Sequence, residues 1–398
     1  MAVGTHPRQA PGGDWHRGHH PPGNHGRRGG GSRRRCHRDE RRGRPYGSRG
    51  QPRPGDPLRR LRRSTFGTTL LVLHGALHGA SPAPPLRWVL VYAGVDRQGA
   101  PAYTTPELTR LVTHVDSAGD PEYWLCTGAI FLHLYAPSGH VFTTWIGGTP
   151  ANGVDWAAYL DSLFLPGAAL QRLDSAVALA SGQLGPRVFP VALMIPYPEP
   201  KEDTLRFAGV RYDLRTVPGR VGAAGAYVAE AERRFQAAGL RHVNLDGFYW
   251  LLEKVPSADV AVVGRVAQAV HARGLRFLWI PFYDAKNWDR WRELGFDEAW
   301  LQPNYFFHLH MSAKRLEAAA TRAERAGMGL ELELDGRLLS DARFAGRLDP
   351  YLDALEKHPR LRERAIAIYD GEGTLPLLSR SQRPVDRQVY RRLGEVLR

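Results

Sequence analysis

The sequence contains only two cysteines, Cys36 and Cys126. Cys36 lies in an arginine-rich stretch at the beginning of the chain, so the rest of the chain has a single thiol. One thiol can form neither a disulfide framework nor a thiolate metal site. Both kinds of cross-link are therefore excluded for the folded part of the protein.

Signature motifs of several enzyme classes are also missing from the sequence. It has no glycine-rich phosphate loop, no GxSxG nucleophile elbow and no HExxH metal motif. His308 and His310 alternate in the string HLHM, but two histidines alone are a weak sign of a metal site. We therefore expect no metal and no cofactor.

Lysine is scarce, with 5 Lys beside 49 Arg, a usage that fits a GC-rich genome. The net charge of +14 is unevenly distributed along the chain. Residues 1–80 hold 17 Arg against 4 acids, whereas the other 318 residues hold 37 basic and 36 acidic groups. The folded part is thus nearly neutral, which does not indicate a specific nucleic-acid-binding function.

Residues 1–57 consist mainly of Arg, Gly, Pro and His and contain almost no aliphatic side chains. Such a composition cannot bury a core, so we predict that this low-complexity segment is disordered. Three interpretations remain open: a mis-assigned start upstream of the true one, a solvated tail, or a nucleic-acid-binding arm. The arginine-rich, lysine-poor usage favours the first.

Residues 58–83 have the order of a secretory signal peptide. A basic cluster precedes an apolar run of about a dozen residues, and small residues follow near Ala80 and Ala83. The run is too short for a comfortable membrane span, and an ordinary buried helix is the alternative. We expect a secreted protein, extracellular or in the cell envelope, whose mature chain begins near residue 81.

Residues 86–398 alternate between strand-like and helix-like segments. The predicted strands 1 to 8 are residues 88–92, 129–135, 188–195, 242–248, 276–283, 299–305, 329–335 and 365–370. The predicted helices are residues 105–116, 155–180, 222–238, 257–273, 287–294, 312–326, 341–357 and 384–397. Eight strands, each followed by helix, predict an α/β fold of the (β/α)8 TIM-barrel type. The rival, an open doubly wound sheet, would need the missing phosphate loop.

The alternation within the strands predicts which side chains point into the barrel, where function concentrates at the carboxyl ends of the strands. In GLELELD, residues 329–335, the leucines face the helices, so three acids lie at three depths on the inner face. The other predicted inward residues are Tyr92, Asn244, Asp246, Trp279, Pro281, Tyr283, Trp300, Gln302, Asn304 and Tyr369. Carboxylates, amides and aromatic rings therefore converge on one mouth.

Such a mouth suits the hydrolysis of a sugar bond. One carboxylic acid must protonate the leaving oxygen, while a second carboxylate acts as nucleophile or activates water. Amides bond sugar hydroxyl groups in both directions, and crowded carboxylates raise one another's pKa, which keeps one of them protonated. We therefore predict a poly- or oligosaccharide substrate.

Glu333 is the candidate nucleophile or base, and Glu253 or Asp246 is the candidate acid. Glu331, one inward position deeper, is expected to orient Glu333 or a tyrosine, while Asp335 lies at the rim. The remaining candidates for substrate binding are Tyr283, Gln302, Asn304, Tyr249, Trp250 and Tyr369. The alternatives to these functional roles are a solvated loop acid, a turn cap or a buried core aromatic.

Three strings occur in order along the chain: LDGFYWLLE, FLWIPFYDAKNWDRWRELGFDEAWLQPNYFF and GMGLELELDG. On these strings, residues 86–398 resemble the bacterial family of domain of unknown function 4855, which looks like glycoside-hydrolase TIM barrels. More distantly, carboxylates at strands 4 and 7 are similar to a large clan of retaining glycosidases. The sequence departs from that clan because no Asn-Glu pair ends strand 4, so Asp246 or Glu253 would have to supply the acid.

The sequence therefore predicts a secreted glycoside hydrolase with two carboxylates at the mouth of a barrel. One alternative is a non-catalytic carbohydrate-binding barrel of the cell envelope. Another is a nucleic-acid-binding protein that uses the basic beginning of the chain. The sequence specifies neither the sugar and its linkage nor the stereochemical outcome and the oligomeric state.

Overall fold

The computed structural model describes residues 85–93 and 103–398. Within these residues, eight parallel strands form a closed barrel that is surrounded by helices. The predicted (β/α)8 barrel is therefore confirmed. The predicted disordered segment 1–57 and the signal-like segment 58–83 lie outside the described residues and stay predictions.

The strands of the described residues alternate with helices along the chain. They are β1 Arg87–Tyr92, β2 Thr113–Val115, β3 Pro121–Trp124, β4 Gly128–Leu132, β5 Phe189–Ile195, β6 Thr204–Phe207, β7 Val210–Asp213, β8 Val243–Trp250, β9 Arg276–Trp279, β10 Glu298–Leu301, β11 Gly329–Leu334 and β12 Ile366–Asp370. The barrel order is β1, β4, β5, β8, β9, β10, β11 and β12, and β12 pairs back to β1. These are the predicted strands 1 to 8. The antiparallel hairpins β2–β3 and β6–β7 were not predicted.

Helices fill the connections between the barrel strands. They are α1 Thr105–Val112, α2 Gly153–Phe164, α3 Ala169–Leu184, α4 Val217–Ala237, α5 Val260–His271, α6 Lys314–Ala326, α7 Arg337–Ser340, α8 Asp349–Lys357, α9 Pro359–Arg362, α10 Thr374–Arg380 and α11 Pro384–Leu397. None of these helices, which all lie in the described part of the chain, has the length and apolarity to cross a membrane.

Three helix predictions were wrong in extent. The segment 155–180 forms two helices, because Pro166 and the left-handed Gly167 (φ +72°) interrupt it. The segment 287–294 contains only a 3₁₀ turn at Trp288–Arg290, preceded by Asn287 in the left-handed region, which a helix start does not adopt. In the segment 341–357, residues 341–348 form turns and the helix begins at Asp349.

Contacts across the barrel identify the inner face of its strands. Trp88 of β1 and Trp300 of β10 lie on strands that are not neighbours, yet their ring centroids are 6.2 Å apart. Trp88 Nε1 also donates to Glu298 Oε2 at 3.0 Å. Register partners in a parallel sheet share a face, so the registers extend this assignment to the other strands. The predicted inward positions that are confirmed in this way are Tyr92, Trp300, Gln302, Glu331, Glu333 and Tyr369.

A bulge in β8 changes the inward pattern along strand 4. Asn244, before the bulge, pairs with Pro190, which shares the inner face with Ala192, so its predicted inward position is confirmed at the exposed amino end of the barrel. The pairing with β5 then skips Asp246, so Gly247 and Tyr249 become the inward residues beyond that point. Beyond the bulge, the residues that simple alternation would place outside the barrel therefore face inward.

The same reversal continues into strand 5. Leu278 is the register partner of Tyr249 and faces inward, although it was predicted to face the helices. Trp279 was predicted to face inward, but it faces outward, where its ring stacks on Phe296 with centroids 4.8 Å apart. Beyond Arg276, residues 277–282 are all apolar, so they gave no polar residue to set the phase of this strand.

Gly329 provides the space for the Trp300 ring inside the barrel. An added Cβ at Gly329 would lie 2.4 Å from the Trp300 ring and 2.2 Å from the Ala365 carbonyl oxygen. We predict that Gly329→Ala lowers the free energy of unfolding by about 1–3 kcal/mol, the cost of overpacking, measured by chemical denaturation. Gly264→Ala is the matched control, since nothing lies within 4 Å of its added Cβ in α5, and should stabilise by about 0.5–1 kcal/mol. Equal stability of the two variants would contradict this account.

Candidate functional site

The carboxyl ends of the barrel strands bring three glutamates together. Glu331 and Glu333 point inward from β11, and Glu253 lies three residues beyond the end of β8. Gln302, next to the end of β10, donates from its Nε2 to Glu253 Oε1 at 3.3 Å. The strand that supplies Glu253 is the fourth of the barrel, and the strand that supplies the other two is the seventh.

A chain of amide hydrogen bonds connects Glu253, the outer glutamate, to the inner pair of Glu331 and Glu333. Gln302 Oε1 accepts from Asn304 Nδ2 at 2.6 Å, and the backbone N–H of Asn304 donates to Glu333 Oε1 at 3.1 Å. Asn304 has a left-handed backbone (φ +52°), which asparagine tolerates better than most residues. Its Oδ1 accepts from the backbone N–H of Tyr283 at 3.0 Å, which fixes the amide orientation.

Glu333 is buried in a nest of hydrogen-bond donors and is only 1% exposed. Its Oε2 accepts from the backbone N–H groups of Tyr305 (3.0 Å) and Phe306 (3.4 Å) and from the hydroxyl of Tyr351. Burial raises the pKa of Glu333, and these donors together with the N–H of Asn304 oppose that rise by favouring the ionised form.

Glu331 lies deeper in the barrel and is completely buried. Neither of its carboxyl oxygens makes a hydrogen bond of ordinary geometry to another described residue, although the amide of Gln302 is close enough to lower its pKa. Burial and the nearby charges of Glu333 and Glu253 raise the pKa of Glu331 well above its usual value. Of the inner pair, Glu331 is therefore the acid that keeps its proton more readily, and Glu333 is the acid whose ionised form the surrounding donors favour.

Glu253 is half-buried at the mouth, above the inner pair. Burial and the charge of Glu333 raise the pKa of Glu253 to about 7, and the hydrogen bond from Gln302 opposes the rise. Its carboxyl group is therefore protonated in about half of the molecules at neutral pH. A carboxylic acid in this state can donate a proton to a bound molecule and accept one back.

Aromatic rings border the cluster on one side. Tyr92 contacts Tyr369 edge to face at 5.6 Å, and Tyr369 contacts Phe307 in the same way at 5.4 Å. A cavity of about 260 Å³ adjoins Tyr92, with Tyr103 and Arg380 in its wall. The predicted positions of Tyr92 and Tyr369 are thus part of the mouth.

An exposed tryptophan lies on the other side, beside Glu253. Trp145, in the connection after β4, is 45% exposed. Its ring stacks on Phe282 at 5.3 Å, and the ammonium of Lys254 lies 3.4 Å from its centroid. The backbone N–H of Phe282 in turn donates to the carbonyl oxygen of Glu253 at 3.2 Å. This contact set links Trp145 to the segment that carries the acid.

Asp246 and Trp250, two of the predicted site residues, do not join the cluster. The carboxylate of Asp246 accepts from Arg276 Nε at 2.7 Å, and Arg276 also binds Glu298 at 2.6 Å, near the amino ends of the strands. Trp250 is fully buried on the outer face of β8, against Tyr197. The bulge at Asp246 separates both from the mouth.

The side chains of Tyr283 and Asp335 also lie outside the glutamate cluster, and Asp335 takes the alternative role of a turn cap, because its Oδ1 accepts from the backbone N–H of Arg337 at 2.9 Å. The ring of Tyr283 lies under the guanidinium groups of Arg315 (3.4 Å) and Arg322 (4.1 Å), and Phe282 instead shares the side of Gln302. Pro281, predicted to face inward with Tyr283, is likewise on the other face, because Phe282 shares the inner face with Gln302. Asp335 forms an ion pair at 2.6 Å with Arg337, the residue that begins α7. The tyrosine hydroxyl that donates to Glu333 is that of Tyr351 in α8.

Tyr351, Trp145 and Phe307 were not identified from the sequence. Tyr351 lies 18 residues beyond Glu333, and its helical context gives no sign of a role. Trp145 lies outside any periodic segment. Strand alternation reveals site residues on strands, and a position just after strand 4 pointed to Glu253, but neither signal reaches these three residues.

Metal binding has no basis in the described part of the chain. Residues 85–93 and 103–398 contain no group of three or more His, Cys, Asp or Glu side chains arranged to hold a metal ion. His308 and His310 have ring centroids 5.6 Å apart, and the neighbouring residues that act on His308 are cationic.

Fold and site together define a (β/α)8 barrel with a cluster of interacting glutamates at its mouth. The chain matches the family described as "Domain of unknown function (DUF4855)" over residues 87–395, and it belongs to that family. The resemblance seen in the sequence is thus confirmed. A search of curated proteins gave no significant match.

Solved structures that the chain matches include enzymes of different activities. The tryptophan synthase α2β2 complex of Pyrococcus furiosus matches at 12% identity over 79% of this chain and 98% of that chain, with a TM-score of 0.33. A fungal β-1,4-galactanase matches at 10% identity over 70% and 89%, with a TM-score of 0.37. Tryptophan synthase from M. tuberculosis matches at 12% identity over 79% and 93%, with a TM-score of 0.36. Similarities this weak carry no argument about activity.

Glu331→Gln should make the stability of the protein less dependent on pH. A buried acid with a raised pKa stabilises the fold below its unfolded value of 4.5, and that stability is lost as the pH rises toward the folded value. The loss amounts to about 1.4 kcal/mol per pH unit for one group. We therefore expect Glu331→Gln to raise the thermal midpoint over wild type more at pH 8 than at pH 4.5, measured by scanning fluorimetry.

Glu395→Gln, an exposed position on α11, is the control and should leave the pH profile unchanged. If the profiles of Glu331→Gln and wild type run parallel from pH 4.5 to pH 8, Glu331 does not hold a proton in the native state.

Proposed function

We propose that the protein is a glycoside hydrolase whose general acid is Glu253 and whose second carboxylate is Glu333. One observation carries the proposal: a half-buried glutamate with a pKa of about 7 is joined through Gln302 and Asn304 to a buried glutamate whose ionised form is favoured by four hydrogen-bond donors. Glycosidic cleavage needs one protonated and one ionised carboxyl group at the same bond.

The proposed reaction divides the work between these two groups. Glu253 in its protonated form donates to the leaving glycosidic oxygen, and the Glu333 carboxylate acts on the anomeric carbon or on an attacking water. Glu253, then ionised, recovers its proton from the water or hydroxyl that completes the reaction. Glu331 remains neutral and keeps the inner pair at one negative charge, which preserves the reactivity of Glu333.

The proposed substrate contacts are the amide and aromatic groups of the mouth. Gln302 can donate to and accept from sugar hydroxyl groups, as can the hydroxyls of Tyr92 and Tyr369. The cavity of about 260 Å³ beside Tyr92 has room for a sugar unit. The prediction that residues 58–83 form a secretory signal peptide agrees with an extracellular polysaccharide as substrate and is part of this proposal.

Glu253→Gln should abolish the cleavage of natural glycans and spare activated ones. Loss of a general acid costs about 10²–10⁴-fold in rate when the leaving group needs protonation. A dinitrophenyl glycoside has a leaving group that departs without protonation, so its hydrolysis should fall far less. The measurement is kcat/KM on the glycans and aryl glycosides that wild type cleaves in a broad panel, followed from pH 4 to pH 9.

The wild-type profile should lose activity as the pH rises through about 7, because Glu253 then loses its proton. Glu333→Gln should be inactive on both substrate classes, which separates the two roles. Equal losses of Glu253→Gln on aryl glycosides and glycans would remove Glu253 as the acid. The anomer released first, read by ¹H NMR, shows whether Glu333 acts as nucleophile or as base.

A second function is favoured by one specific observation. Glu333 is 1% exposed and accepts four hydrogen bonds, as a structural carboxylate that organises a turn would. The protein would then be a non-catalytic carbohydrate-binding barrel of the cell envelope. It would retain glycans on an array without cleaving them, and Glu333→Gln would leave that retention intact.

Trp145→Ala should weaken glycan binding under either function. The indole is the exposed aromatic surface beside Glu253, and such a surface contributes about 1–3 kcal/mol when it packs on a ligand. We expect an increase of about tenfold or more in KM or Kd, with the thermal midpoint within 2 °C or so of wild type. Leu179→Ala, an exposed apolar residue on α3, is the control and should leave binding unchanged. Unaltered binding in Trp145→Ala would exclude Trp145 from the substrate surface.

A further inference from the structure

Arg347 is a buried cation in the connection between β11 and α8. Arg347 is only 8% exposed, and its guanidinium forms no ion pair with a carboxylate of the described residues. A buried charge is costly unless hydrogen bonds and an opposite charge compensate it. The compensation for Arg347 must therefore come from groups other than a direct acidic partner.

The guanidinium of Arg347 binds the carbonyl oxygens of one turn. Its Nε donates to Phe306 O at 2.9 Å, and its Nη2 donates to His308 O at 3.0 Å and to Tyr305 O. The guanidinium also lies 3.8 Å from the centroid of the Tyr305 ring. Arg347 thus fixes residues 305–308 from the carbonyl side.

Glu333 binds the backbone N–H groups of the same turn, whereas Arg347 binds its carbonyl oxygens. The backbone N–H groups of residues 304–306 donate to its carboxylate. One peptide group, between Tyr305 and Phe306, takes part in both interactions. Its carbonyl oxygen accepts from Arg347, and its N–H is shared between Glu333 Oε2 at 3.4 Å and the Tyr351 hydroxyl at 3.1 Å, which itself donates to Glu333. Hydrogen bonds in such a chain polarise one another.

We infer that Arg347 is a positioning residue that stabilises the ionised form of Glu333 through the peptide group between Tyr305 and Phe306. Glu333 is then the countercharge of Arg347, although a turn of backbone separates them. The arrangement explains why the ionised form is favoured at Glu333 rather than at Glu331, because Glu331 has no comparable set of donors among the described residues. For catalysis the inference rests on the proposed function, since only there is the second carboxylate required to be ionised.

The test is an NMR titration of the glutamate carboxyl groups in the full chain. Protein labelled with ¹³C at the glutamate carboxyl carbon is titrated from pH 4 to pH 9, and the Glu333 resonance is assigned by its absence in Glu333→Gln. In Arg347→Gln we expect the midpoint of Glu333 to move up by about one pH unit, the effect of losing a nearby opposite charge. Arg347→Lys, which keeps the charge, should restore most of the wild-type midpoint.

Arg343→Gln is the matched control. Arg343 lies in the same connection between β11 and α8, but it is exposed and pairs with Asp341 at 2.6 Å. Its substitution should leave the Glu333 midpoint unchanged. An unchanged midpoint in Arg347→Gln, or equal shifts in Arg347→Gln and Arg347→Lys, would overturn the inference, because the charge would then have no effect of its own.

A measurement on the unmodified protein covers the case in which Arg347→Gln fails to fold. The Nε–H resonance of Arg347 and the amide resonance of Phe306 should both titrate with the midpoint of Glu333. If neither responds at that midpoint, the peptide link does not operate. None of these readouts needs a substrate, so failure to cleave any glycan would contradict the proposed hydrolase without affecting the titrations.

Discussion

The burial of two carboxyl groups on one face of β11 is the constraint on which the whole mouth depends. Two neighbouring charges cannot both be buried at acceptable cost, so one acid must stay neutral and the other must be surrounded by donors. Among the described residues, Glu331 has no donor of ordinary geometry, whereas Glu333 has four. The turn 304–308, the left-handed Asn304 and the positions of Tyr351 and Arg347 all serve this second requirement.

The same constraint sets the properties of the outer acid. Glu253 lies within the field of the charge on Glu333, and that charge together with burial keeps Glu253 partly protonated near neutral pH. If Glu333 were neutral, one cause of the raised pKa of Glu253 would disappear. The inner acid, whose ionised form the donors favour, and the outer acid, whose pKa is raised, therefore belong to one interacting cluster that the amides of Gln302 and Asn304 connect.

The sequence was sufficient for the barrel and for β11, because strict alternation of leucine and glutamate fixes both the strand and its phase. It was insufficient for β8 and β9. A bulge at Asp246 reverses the phase, and the apolar run that follows contains no polar residue to reveal it. Tyr351, Arg347 and Trp145 were beyond prediction for another reason: they act on backbone groups and rings far away in the sequence, and no local pattern records such contacts.

The four hydrogen bonds that the Glu333 carboxylate accepts are compatible with a chemical role for this residue. Among the described residues, three of its four donors, the hydroxyl of Tyr351 and the N–H groups of Tyr305 and Phe306, bind Oε2, whereas the fourth, the N–H of Asn304, binds Oε1. In the proposed hydrolase, Oε1 would therefore be the atom that acts on the anomeric carbon or on a water. Because Glu333 is 1% exposed, a sugar would reach Oε1 only when the side chains that cover it move. Gln302 and Asn304 are hydrogen-bonded neighbours of both acids, so a sugar hydroxyl that replaced one of their bonds would open the site and alter the pKa of Glu253 in the same event.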